Sequence, residues 1–263
     1  MTARLGRDKF IIRRSMLLRP IMAVAAPERP TAADFSAMAT ARSKLYDFLS
    51  GLSATKPSSE LVKAIKEGTF FAFLLPFEGK DLPKALEDAL RTIIGYRPGA
   101  SPDGLEEDLA VEWTKIFRGV QKGYSPPPPY ESVYLGGGIL QGEPMRTVSN
   151  LYATHGLQTR TPTGELPDYI AMEFKFMSVL AAEEAEAWTS RKEDALSCLL
   201  EQKRFLREHL LRWVPKFCDE ARKHIETEFY KGVIDLFQAL LRWDVDLIDE
   251  LIETASDLFE PTG

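Results

Sequence analysis

Carboxylates are the residues of this chain best placed to do chemistry. Glu165, Asp168 and Glu173 lie close together in Glu165-Leu166-Pro167-Asp168-Tyr169-Ile170-Ala171-Met172-Glu173-Phe174-Lys175-Phe176-Met177. Such a group has three uses: acid–base catalysis, metal binding, or recognition of a cationic partner. Metal binding within a helical bundle calls for Glu-x-x-His pairs that project inward. Here the residues three positions before His155, His209 and His224 are Tyr152, Leu206 and Ala221. Cys198 and Cys218, the only cysteines, are twenty positions apart and have no third ligand at zinc spacing. A helical-bundle carboxylate or metal enzyme is therefore the weaker alternative, and no cofactor is expected. Gly136-Gly137-Gly138 lacks the lysine of a phosphate-binding loop. A cationic partner is the chemistry that these carboxylates suit.

The same stretch has a simpler structural account, helix initiation. Pro167 suits a first helical turn, where its missing N–H costs nothing, and Asp168 complements the positive end of the helix dipole. On the helix that follows, Tyr169, Glu173, Met177 and Leu180 share one side, with Met172, Phe176 and Val179 on an adjoining strip. Glu173 interrupts this apolar face, so it must be paired, capped or turned toward a cavity.

Helical periodicity extends over most of the chain. Phe35, Met38, Ala41, Leu45, Phe48, Leu49 and Leu52 recur at spacings of three and four and form one stripe. Leu61, Val62 and Ile65 lead a shorter helix into the apolar run Phe70 to Phe77. Further helices are expected over 81–96, 104–119, 143–156, 167–188, 190–211, 216–242 and 244–257. Residues 122–144 break the pattern with Pro126–Pro129 and Gly136–Gly138. The expected fold is an all-α bundle of roughly eight to ten helices, with this Pro/Gly-rich connection between two halves. Residues 31–263 would form a single domain with subregions of about 31–122 and 140–263. The proline run should hold Tyr130-Glu131-Ser132-Val133-Tyr134 in a defined direction; in the simpler reading Tyr130 and Tyr134 only fill a groove between helices.

A net charge of −6 over 263 residues argues against nucleic acid and anionic membrane and favours a basic partner. Residues 1–30 carry +5 and the remainder −11. Ile12-Arg13-Arg14-Ser15-Met16-Leu17-Leu18 looks like a twin-arginine export signal, and Ala23-Val24-Ala25 like a cleavage site. Arg19 and Pro20 interrupt its apolar region, so the expectation is a true start at Met16 or Met22, or else a disordered basic arm. No apolar run is long enough to span a membrane, and two dispersed cysteines suit a reducing cytoplasm.

Two segments resemble the TorD/DmsD/NarJ-type chaperones that mature exported molybdenum enzymes: Pro128-Pro129-Tyr130-Glu131-Ser132-Val133-Tyr134, and Glu165-Leu166-Pro167-Asp168 followed by Glu173 and Phe176-Met177. Ala41-Arg42-Ser43-Lys44-Leu45-Tyr46 and His209-Leu210-Leu211-Arg212-Trp213-Val214-Pro215-Lys216-Phe217 also look like this family. Tyr169 stands where the family usually has histidine, and Lys175 where it often has glutamate, which removes any role for a titrating imidazole at position 169. The resemblance implies an all-helical cytoplasmic chaperone without catalytic turnover. It would bind the twin-arginine leader or the body of a molybdenum oxidoreductase subunit during cofactor insertion, before export. A leader with two guanidinium groups and an apolar stretch needs carboxylates beside a hydrophobic groove. Glu131, Glu165, Asp168 and Glu173 would supply the carboxylates, and Tyr130, Tyr134, Tyr169, Phe176 and Met177 the groove. A generic helical adaptor is the alternative, and a homodimer is compatible with either.

Overall fold

Apolar residues recur every three or four positions through most of the chain, and in the computed structural model these runs become helices. The structure describes residues 30–69, 74, 82–97, 104–119, 123–136, 140, 142–157 and 164–259. Among them are α1 (Ala32–Ala54), α2 (Ser59–Glu67), α3 (Lys84–Gly95), α4 (Leu105–Arg118), α5 (Glu131–Leu135), α6 (Glu143–Thr154), α7 (Ile170–Ser190), α8 (Lys192–Phe205), the π turn Leu206–Leu210, α9 (Leu211–Arg222) and α10 (Glu228–Phe259). The fold is an all-α bundle. Its α7 packs against both α1 and α8, while α10 runs along α3, α8 and α9. None of these helices is long and apolar enough to cross a membrane. The export-signal-like segment around Arg13-Arg14 lies outside the described residues, as does the run Phe70 to Phe77 apart from the buried Leu74.

α1 opens on a capping box. The Thr31 hydroxyl accepts a bond from the Asp34 N–H, and the Thr31 N–H donates to Asp34 Oδ2 at 2.8 Å. Of its stripe, Phe35, Met38, Leu45, Leu49 and Leu52 are buried and Ala41 and Phe48 only partly so, whereas Arg42 and Tyr46 are buried with the former. The Arg42 Nε donates to Asp244 Oδ1 at 2.5 Å, one terminal nitrogen to Glu184 Oε2 at 2.7 Å, and the other to Gln202 Oε1 at 2.6 Å. The Tyr46 hydroxyl bonds Asp244 at 2.7 Å, and the Trp188 indole donates to Glu184 at 3.1 Å. Burial opposes the Arg42 charge, but the two carboxylates overcome it and hold the guanidinium above its ordinary pKa. Four helices, α1, α7, α8 and α10, thus meet on one guanidinium.

Asp244 also explains a displaced boundary. A break was expected between 242 and 244, yet α10 continues through Trp243-Asp244, because Asp244 sits on the inner face against Arg42. The real break lies at 223–227. There Glu112, reaching over from α4, accepts the N–H groups of Glu226 at 2.5 Å and Thr227 at 3.0 Å. A carboxylate at this point satisfies otherwise unpaired donors and complements the dipole of α10. Pro215 falls inside α9, just beyond the π turn, where the Leu211 N–H reaches back to the Leu206 carbonyl. This wide turn takes up an extra residue, and His209 within it is buried.

Candidate functional site

The two motif segments meet. The Glu131 N–H donates to the Asp168 carbonyl at 2.9 Å and the Ile170 N–H to the Pro129 carbonyl at 3.0 Å. Tyr130 and Tyr169 thereby form an antiparallel bridge, with ring centroids 5.1 Å apart. The proline run in turn lies against the end of α4. Gly119 ends α4 at φ 59°, and a Cβ there would lie 2.6 Å from Pro128 Cδ. Only glycine suits both the left-handed backbone and the close contact.

This bridge corrects the expected start of α7. The helix begins at Ile170 with Tyr169 as its N-cap, three residues later than Pro167 suggested. Asp168 precedes this N-cap by one residue. Its Oδ2 accepts the Ser132 N–H at 3.0 Å, so it caps the short helix α5.

The structure brings the expected contact residues together, but most of them lie inside. Glu131, Asp168, Tyr169, Glu173, Phe176 and Met177 are all buried, so in this conformation they face protein and not an open groove. The reason is that other helices supply them with partners. The Trp213 indole of α9 donates to Glu173 Oε2 at 3.0 Å. His209 Nδ1 stands 2.9 Å from Glu131 Oε2, and the His209 ring stacks on Phe205 at 4.9 Å. The Tyr169 hydroxyl donates to the Ser53 carbonyl at 2.8 Å and the Tyr152 hydroxyl to the Pro167 carbonyl at 2.9 Å. Phe176 packs against Tyr152 and Phe205, with centroids at 4.7 and 4.9 Å.

Three acidic side chains thus share a buried space with one histidine. Burial raises the Glu173 carboxyl well above its ordinary range, and the neighbouring Glu131 and Asp168 push it further, against the lowering effect of the Trp213 bond. Both effects favour the protonated form of Glu173 over the charged one. Asp168 Oδ1 and the Ser132 hydroxyl have no hydrogen-bond partner, which leaves the cluster polar capacity that the fold does not use. Among the described residues no group of His, Cys, Asp or Glu is arranged to hold a metal ion.

Tyr130, Tyr134 and Glu165 form the outer edge above this cluster; Tyr130 and Tyr134 are half-buried. The Tyr134 ring lies 5.6 Å from Trp213, and its hydroxyl bonds the Pro127 carbonyl at 2.9 Å. Glu165 accepts the Tyr130 hydroxyl on one oxygen and Arg118 on the other. Burial and this carboxylate both push the Tyr130 phenol above its ordinary pKa.

Sequence reasoning did not place His209, Ser132, Tyr152 or Arg118 in the site. His209 begins one of the motif-like segments, and that was the available signal. Arg118 offered none, because 47 positions separate it from Glu165.

Comparison with known proteins identifies the architecture. Residues 80–219, just over half of the chain, match the family described as nitrate reductase delta subunit. The chain belongs to this family. Its relatives include proteins named chaperone protein TorD: from Photobacterium profundum, 26% identical over 216 residues, covering 80% of this chain and 95% of the relative; and from Vibrio vulnificus, 27% identical over 212 residues, covering 79% and 94%. A third, from Vibrio cholerae serotype O1, is 30% identical over 147 residues, covering 56% of this chain and 64% of the relative. The chain is thus a TorD/NarJ-type chaperone, and the family match spans both segments that build the bridge.

Proposed function

We propose that this chaperone acts in the cytoplasm on a molybdenum oxidoreductase subunit, holding its twin-arginine leader or its body during cofactor insertion and before export. The observation that carries this reading is Glu165. It is a carboxylate set between the Tyr130 hydroxyl and a guanidinium, just beneath the surface that the two family segments form together. A carboxylate already engaged with a guanidinium at an aromatic edge has the chemistry of an arginine acceptor. Tyr130, Tyr134 and Glu165 contact the leader directly in this proposal. Glu131, Asp168, Tyr169, Glu173, Phe176 and Met177 act from beneath: they hold the edge in place, and the cluster's unused polar atoms become available if α5 shifts when the client arrives.

Calorimetric titration with the twin-arginine leader of a co-encoded oxidoreductase tests the proposal. Binding is expected to weaken about tenfold or more when both leader arginines are replaced by alanine, and by a similar factor for Glu165→Gln. Equal affinity for the two leaders would remove the role given to Glu165. The mature subunit would then be the client to examine.

A further inference from the structure

We infer that Arg118 is a resident stand-in for a client arginine: it occupies the Glu165 carboxylate in the free chaperone and must leave before a client guanidinium can enter. This rests on the leader reading above and adds to it an internal competitor. The Arg118 guanidinium is hydrogen-bonded to Glu165 Oε1 and lies over the Trp113 ring, 4.9 Å from its centroid. The other oxygen of Glu165 is fixed by the Tyr130 hydroxyl. A carboxylate held at one oxygen, with an indole face beside it, recognises a guanidinium through both charge and stacking. The chain fills this place with the last residue of its own α4.

The two halves of the pair differ in exposure, which decides which one moves. The Arg118 side chain is 38% exposed and the Glu165 side chain 7%. The cation can swing into water while the carboxylate stays. The wall behind it also stays, because the Trp113 indole is buried and donates to the Leu52 carbonyl at 3.1 Å. Because the Arg118 end of the pair reaches water, the departing cation regains hydration, and an incoming arginine that brings further contacts can displace it while keeping the buried carboxylate paired. A segment lacking arginine gains nothing in return for the lost pair. Arg118 thereby lowers the affinity for every ligand of this edge and least disadvantages one that carries a guanidinium.

The test is calorimetric titration of the full chain and of Arg118→Gln with a synthetic twin-arginine leader and its double-alanine counterpart. Arg118→Gln is expected to bind the twin-arginine leader about three- to tenfold more tightly than the unchanged protein, the scale of giving up one cation–π contact and one ion pair whose cation reaches water. Arg118→Lys keeps the charge but loses the planar stacking, so it should fall between the two. If Arg118→Gln does not fold, Arg118→Lys carries the test alone. Affinity that is unchanged or weaker in the folded variants overturns the inference, while arginine-dependent binding by the unchanged protein would still uphold the leader reading. No binding of the leader by any of these proteins overturns both.

Discussion

Replacement of Arg42 by alanine is expected to cost about 3–5 kcal/mol of folding stability, the range for removing one partner from a buried ion pair. Asp244 and Glu184 are fully buried, and each loses its guanidinium bond. The Tyr46 hydroxyl and the Trp188 indole remain as neutral donors, which cannot balance two charges out of reach of water. A combined Arg42→Met, Glu184→Leu and Asp244→Leu variant should recover only part of the loss: it leaves no charge to desolvate, but it strands the Tyr46 hydroxyl, the Trp188 indole and the Gln202 amide. Urea unfolding of the single and triple variants checks both statements. A loss below about 1 kcal/mol for Arg42→Ala would place the network at an exposed position, where ion pairs contribute that little.

Glu173 is expected to make the protein less stable as pH rises, the reverse of an ordinary salt-bridged carboxylate. Its carboxyl is raised well above the usual 4.5, first by burial and then by Glu131 and Asp168. Between that usual value and the raised one, the folded state keeps a proton that the unfolded chain has released. The unfolded state therefore binds fewer protons, and stability falls with pH across this window, by up to about 1.4 kcal/mol per pH unit for one proton. The stabilisation is complete below the ordinary carboxylate value and is lost as pH climbs toward the raised one. Glu173→Gln keeps an acceptor for the Trp213 indole and cannot ionise, so its stability should be nearly flat over the same window. Thermal unfolding at about pH 5 and about pH 8 separates the two curves. An equal slope for the two proteins would mean that the proton resides elsewhere.

Arg42 also marks the boundary of what the sequence reveals. The stripe of α1 is legible because its apolar residues repeat at the helical period, and Phe35, Met38, Leu45, Leu49 and Leu52 are buried while Ala41 and Phe48 are partly so. Nothing local says that Arg42 belongs with them. Its partners Glu184, Gln202 and Asp244 lie 142, 160 and 202 positions away, and only the assembled bundle makes that burial tolerable. The resemblance of residues 41–46 to the family pattern pointed to the segment, not to the ion pairs.

The start of α7 failed in a comparable way. Pro167 and Asp168 have the local chemistry of a helix N-terminus, but a distant segment, residues 129–132, takes the Asp168 carbonyl and carboxylate for its own donors. Local propensity lost to a tertiary contact. The carboxylates were legible as a group, since Glu165, Asp168 and Glu173 are close in sequence. Their division into one acid at the outer edge and two in the interior was not, because the partners of the inner two, Ser132 and Trp213, come from α5 and α9.

Hydrogen–deuterium exchange on the full chain, with and without a bound twin-arginine leader, tests the central claim most directly. Slowed exchange is expected at the amides of residues 126–136 and 164–170, with the change at Tyr130 and Glu165 lost for the double-alanine leader. Slowed exchange confined to α3, α9 or the outer face of α10, with these two segments unaffected, would contradict the placement of the client on the Tyr130–Glu165 edge.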